Sequence, residues 1–310
     1  MPNLTEHQSL KYSMIGAFVL SVWGLGMSIY SQSEAILLDG AFNLISAIVA
    51  FFSIRVAHLT LKGSDQEFPL GYYSFESLIV LIKGISMLVL IVVAVSSNLP
   101  VLLSGGRDPA IKLMAIYVFP AVAGCFILYY ICYLGYRSNP SDLLKAEKQA
   151  WLINAVISGA IGLALVIVLL LASTPFAWIS RYIDQILVII FSLAFIGEPI
   201  KLVKGGVREL LLARPSEEFV APIEKEVALL SLEYKLNIVA LDIIKTGRHT
   251  WVTIILNPEE DDINVRSFME LKKRARELIS KHYSESYTEI IIEAIEKEVK
   301  FSNETCQNYS

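Results

Sequence analysis

Residues 33–43 read Ser33-Glu34-Ala35-Ile36-Leu37-Leu38-Asp39-Gly40-Ala41-Phe42-Asn43, an apolar segment with a carboxylate in its middle. The apolar run that holds it covers 35–59. As a helix that run is long enough to cross a bilayer core, which takes about 20 residues. Five further runs of the same kind lie at 13–30, 77–97, 111–136, 149–172 and 182–203. Backbone polar groups in lipid must bond within their own segment, so each run is expected to be a transmembrane helix. The whole chain agrees with this reading. Of its 310 residues 55% are hydrophobic and 18% charged, below the roughly one quarter charged that is usual for soluble domains. The expected fold is an α-helical membrane protein with a six-helix bundle over 1–212.

Six spans place both termini on one side. Lys11, Arg55, Lys62, Arg137, Lys145, Lys148, Lys201, Lys204 and Arg208 fall on that side, and only Arg107, Lys112 and Arg181 on the other. The positive-inside rule then puts both termini in the cytoplasm. The first run follows Lys11 without the small-residue cleavage site of a signal peptide, so it reads as the first helix. Cys125, Cys132 and Cys306 form no disulfide framework. The first two, seven apart, read as small apolar fillers.

Composition shifts after Arg214-Pro215. From Ser216 onward there are 18 acidic and 12 basic residues and no run that spans a membrane. The segment 213–300 is expected to be a cytoplasmic α+β domain of αββαβ order. Val220, Ile223, Val227 and Leu230 give a helix over 217–232. Two β-branched stretches, 235–245 and 250–257, are joined by Thr246-Gly247-Arg248-His249, a hairpin signal. An amphipathic helix over 264–283 and a strand over 288–295 complete it. The polar stretch 301–310 is expected to be a disordered tail.

Polar residues inside a membrane are expensive and usually face a bundle interior or a water cavity. Asp39 and Asn43 are four apart and share a helix face, which Ser46 extends by about a turn. Asn154 and Ser158 are spaced alike on helix 5. Facing each other, the two stripes offer one carboxylate, amide oxygens and hydroxyls, hard ligands that suit Mg²⁺, Ca²⁺, Mn²⁺ or a monovalent cation. Asn154 and Ser158 read equally well as interhelical glue, whereas a lone intramembrane Asp39 points to function. Lys83 lies about two turns into helix 3. It either snorkels to the surface or pairs with Asp39 or Glu34, standing in for a cation when the site is empty. Glu147, seven residues before Asn154, is placed to line a cytoplasmic access path, and Glu198 is read as interfacial.

The segment 33–40 resembles the opening of helix 2 in the cation diffusion facilitator family. Pro69-Leu70-Gly71-Tyr72-Tyr73-Ser74-Phe75-Glu76 is similar to that family's loop before helix 3. Lys145-Ala146-Glu147 leads into helix 5, and Tyr182-Ile183-Asp184 opens helix 6, as in the family. The resemblance covers nearly the whole chain. It implies a homodimeric cation/proton antiporter of Zn²⁺, Mn²⁺, Fe²⁺, Co²⁺ or related ions, a multi-pass protein of the bacterial inner membrane. Its transport site falls on Asp39, Asn43, Ala150 and Asn154. Only Asp39 keeps the family's acidic residue: Asn43 and Asn154 stand where Asp is usual, and Ala150 where His or Asp is expected. Asp39 with two amides has too little charge, and no nitrogen, for a tight zinc site. Ala150 also removes the histidine that would titrate near neutral pH, which leaves Asp39 as the proton carrier. At the loop site Asp65 remains, while Phe68 and Tyr72 occupy the His positions. His249 and His282 of the tail read as solvated or capping residues.

The expected cargo is therefore a small hard cation, Mn²⁺, Mg²⁺ or a monovalent ion, rather than zinc, with protons and lipid as the other partners. No cofactor, enzymatic activity or nucleic-acid partner is expected. Two alternatives stand beside this: a non-transporting relative that acts as a partner or regulatory subunit, and an ordinary zinc or iron exporter.

Overall fold

The computed structural model describes residues 6–60, 62–107, 110–138, 142–171, 174–234, 236–257, 264–283 and 285–293. The expected tail disorder at 301–310 lies outside the described residues. The chain divides into two compact units, Met1–Val207 and Arg208–Ser310.

In the first unit, α1 (Glu6–Ser31), α2 (Glu34–Thr60), α3 (Ser74–Leu103), α4 (Ile111–Ser138) and α5 (Asp142–Leu171) follow the five leading apolar runs. The sixth run is broken into α6 (Ile183–Phe195) and α7 (Gly197–Leu210). Ile196 is a turn between them. The signal for the break is Gly197-Glu198-Pro199, since Pro199 has no N–H to donate one turn back and Gly197 weakens the helix on its approach. Among the described residues six segments are long and apolar enough to span a bilayer, the last being Ile183–Leu210. Phe18, Val92, Phe119 and Leu163 are exposed along these helices, as expected where the neighbour is lipid.

Helix α1 packs on α2 and α4, α4 on α5, and α3 on α2 and α6. The core between them holds Ile36, Met114, Tyr117, Ile161, Leu165 and Val188. Two glycines let α1 and α2 cross backbone to backbone: a Cβ on Gly24 would lie 2.8 Å from Gly40 Cα. That crossing holds the helix one residue beyond Asp39.

The second unit contains α8 (Glu217–Tyr234), β1 (Ile238–Thr246), β2 (His249–Leu256), α9 (Val265–Ser280) and β3 (Ser286–Ile292). Strands β1 and β2 pair antiparallel and β2 and β3 parallel, in the order β1-β2-β3. Gly247, at φ 58°, makes the hairpin turn, a conformation in which glycine carries no Cβ penalty. Val220, Ile223, Val227 and Leu230 of α8, with Leu271, Ala275 and Leu278 of α9, cover the inward residues Ile243, Val252 and Ile254 of the sheet. Asn264 caps α9 by accepting from the backbone N–H groups of Arg266 and Ser267. The small mixed sheet with its helices is the αββαβ arrangement read from the sequence.

Candidate functional site

A cavity of about 300 Å³ opens within the helical unit. Helix α2 contributes Asp39, Asn43 and Ser46, and α5 contributes Ala150 and Asn154. Lys83 comes from α3, Phe191 and Phe195 from α6, and Glu198 and Pro199 from the first turn of α7. The four-residue spacing on α2 therefore aims its polar stripe at one space, and α5 answers with Asn154. Ala150 lines the cavity but has no ligand atom.

Asp39 is half-buried and receives a hydrogen bond on Oδ2 from the Tyr117 hydroxyl of α4. Tyr117 is 1% exposed, so packing holds the ring that carries the hydroxyl, and the Trp23 indole N–H donates to its main-chain carbonyl at 3.4 Å. Asn43 is buried, and its Nδ2 donates to the Asp39 carbonyl at 3.0 Å. The amide N–H₂ group is thus turned to the backbone, and the amide oxygen is the atom left to serve as a ligand. From α2 and α5 the cavity thus receives one carboxylate with an open oxygen, amide oxygens from Asn43 and Asn154, and the Ser46 hydroxyl, all hard donors. Among the described residues no imidazole or thiolate lines the cavity. Among the described residues no group of three His, Cys, Asp or Glu is placed to hold a metal ion.

Other expected site residues lie elsewhere. Ser158 is 1% exposed and bonds with the Cys125 thiol, behind the cavity wall rather than on it. Glu147 is not on the cavity. It accepts a hydrogen bond from Ser13 of α1, and Ser13 in turn accepts from the Trp151 indole at 2.7 Å. It fastens α1 to α5 instead of lining an access path. Asp65 closes the loop before α3, accepting from the Phe68 N–H at 2.7 Å, the Glu67 N–H at 3.0 Å and the Tyr72 hydroxyl at 2.6 Å. These bonds hold the Asp65 carboxyl below its ordinary range, the Tyr72 hydroxyl contributing most, and push that hydroxyl up to about 12. Phe68 and Tyr72, at the positions where the family resemblance expects His, pack against each other at a tilt of 40° with ring centroids 4.6 Å apart, so the loop is a hydrogen-bonded turn. His282 bonds Glu226 at 3.0 Å.

Glu34 does not meet Lys83. It accepts from Ser97 at 3.2 Å and Asn98 at 3.3 Å and lies 3.6 Å from Arg107. Beside it stands a residue read from the sequence only as the opening of helix 6. Asp184, 1% exposed, accepts the Ser33 hydroxyl at 2.5 Å and the backbone N–H groups of Glu34 at 2.9 Å and Ala35 at 3.2 Å. It caps α2, the helix that carries Asp39, from 151 residues away in sequence. Tyr117, on an almost uniformly apolar α4, carried no sequence signal of its own.

A search for similar sequences among curated proteins finds no match. Residues 10–211 match the family described as the cation efflux transmembrane domain. That match runs through the six candidate spans of the described residues and the residues that line the cavity, and the chain belongs to the cation efflux, or cation diffusion facilitator, family of membrane transporters.

Proposed function

We propose that this cation efflux transporter exports a small hard cation, Mn²⁺, Mg²⁺ or a monovalent ion such as Na⁺, in exchange for protons. The observation that carries this reading is the donor set of the cavity: Asp39, Asn43, Asn154 and Ser46 supply oxygens alone. Oxygen-only sites suit hard cations, while tight zinc sites draw on imidazole or thiolate. Asp39 takes both duties, ligand and proton carrier, since it is the acidic member of the family's four positions. The protein acts as a homodimer in a bacterial inner membrane with both termini in the cytoplasm, an orientation supported by the basic residues that flank the spans.

The test is flux in proteoliposomes against a panel of Mn²⁺, Mg²⁺, Na⁺ and Zn²⁺. Asp39→Ala is expected to abolish transport while the dimer still forms. Transport by this variant at the wild-type rate refutes the reading. Ala150, which offers no ligand where the family places one, favours a second reading: a relative that no longer transports and serves as a membrane partner subunit. A stable copurifying partner, together with no cation-dependent change in thermal stability, selects it, because any ion that binds only the folded state must stabilise it. Micromolar Zn²⁺ binding that depends on Asp39 and Asn43 would instead select an ordinary zinc exporter.

A further inference from the structure

Three charged side chains line the cavity, and only one of them belongs to the family's four positions. Asp39 is joined by Glu198 and by Lys83. The latter two are brought together by close packing of α3 on α7. A Cβ added to Gly84 would lie 3.0 Å from the Pro199 carbonyl and 2.9 Å from Val203 Cγ2. Lys83 and Glu198 are the immediate neighbours of that contact in sequence, one on each helix. Glu198 sits in the first turn of α7, where the helix dipole favours a carboxylate, directly after the break at Ile196. Among the described residues neither side chain is in an ion pair within 4 Å. Both line one cavity, whose apolar walls (Leu38, Phe42, Met87, Phe191, Phe195) weaken the screening of any charge within it.

We propose that Glu198 is a second cation-handling carboxylate of this cavity and that Lys83 is its built-in counter-charge when no cargo is bound. Two carboxylates and one ammonium leave the empty cavity with a formal charge of minus one. An arriving cation is drawn by Glu198 and Asp39 and opposed by Lys83. The ammonium sets how tightly cargo is held and prevents a trap: two uncompensated carboxylates in an apolar cavity would bind a cation well and release it slowly. This inference rests on the exporter reading and adds two residues to it.

The two residues carry opposite signs, so their variants are expected to move binding in opposite directions, which loss of packing would not do. The protein is purified whole, and thermal stability is titrated with MnCl₂, MgCl₂ and NaCl, with flux measured in parallel. Glu198→Gln is expected to raise the half-saturating concentration of the responding cation by about tenfold, the effect of one charge at roughly 10 Å in a medium of effective dielectric near 20. Lys83→Gln is expected to lower it by about as much and to slow maximal flux, because release becomes harder. The double variant is expected to return to within about threefold of wild type. Lys83→Met, which keeps the stem, is the second variant if Lys83→Gln folds poorly, and the same tightening is expected from it. Weaker or unchanged binding in both Lys83 variants, or an unchanged value in Glu198→Gln, overturns the proposal. A wild-type protein that responds to none of the three salts and moves none of them overturns the exporter reading, and this inference with it. A responding wild type with misbehaving variants overturns this inference alone.

Discussion

Asp184 and Asp39 are both aspartates inside one helical bundle, and their surroundings are opposite. Asp184 is almost fully buried and takes three hydrogen bonds from Ser33, Glu34 and Ala35. Asp39 faces a cavity and takes one, from the Tyr117 hydroxyl. A buried carboxylate whose lone pairs are filled by its own chain is a structural fastener, and removing it leaves donors stranded. A carboxylate left with an open oxygen in a membrane is costly to keep. It persists where something else completes it. The fastener also serves the open site, since Asp184 holds the start of the helix on which Asp39 sits one turn further along.

The comparison breaks most readily on Asp39. Asp39→Ala is expected to lower cation flux by at least about a hundredfold, the loss of roughly 3 kcal/mol of cargo interaction. Its melting temperature in detergent is expected to change little, because the Tyr117 hydroxyl loses its acceptor while an under-bonded carboxylate is removed from an apolar setting. A clear drop would make Asp39 a fastener too. Asp184→Ala is expected to do the reverse. It strands two backbone N–H groups and a hydroxyl at the start of α2, a loss of about 3 kcal/mol, read as a lower unfolding midpoint. Protein that remains folded should bind cation with nearly the wild-type half-saturation. If that value moves more than about tenfold, Asp184 acts on cargo and the contrast fails.

Tyr117→Phe sharpens the same contrast with a smaller effect. The hydroxyl competes with cargo for Asp39 Oδ2, so its removal is expected to lower the half-saturating cation concentration about fivefold, the worth of one hydrogen bond of about 1 kcal/mol. A rise of similar size would place the Tyr117 oxygen among the cargo's ligands.

What the sequence made legible follows from range. Asp39, Asn43 and Asn154 could be placed because spacing along one helix fixes a shared face, and the same spacing gave the αββαβ tail its order. Asp184 and Tyr117 could not, because each acts on α2 from another helix and neither belongs to a repeating pattern. Glu147 misled for the same reason: its spacing from Asn154 was right, but its partner Ser13 lies on α1. Ser158 shows the limit of a stripe: four residues overshoot a full helical turn, and Ile161, nearer in angle to Asn154, continues the cavity-facing side of α5. The break before Glu198 is legible in Gly197-Glu198-Pro199, although hydropathy alone reads 182–203 as one apolar run.

Asp65 supplies the control that donor number alone lacks. Like Asp184 it accepts three hydrogen bonds, but it stands exposed in a loop outside the spans. If burial rather than donor number makes Asp184 essential, Asp65→Asn should be mild, with a change in melting temperature of about 2 °C or less at neutral pH. The pH dependence has a definite sign. The folded carboxyl is held below its ordinary range, so its contribution is present above the unfolded value, about 3.9. That contribution fades as pH falls through the lower folded value. Wild type should therefore exceed Asp65→Asn slightly at neutral pH, and the two should converge in acid. A large loss of stability at pH 7 would show that three donors suffice without burial. A loss of flux with stability intact would return Asp65 to the cation pathway as an accessory ligand, and the loop would then join Asp39 rather than Asp184 in the comparison.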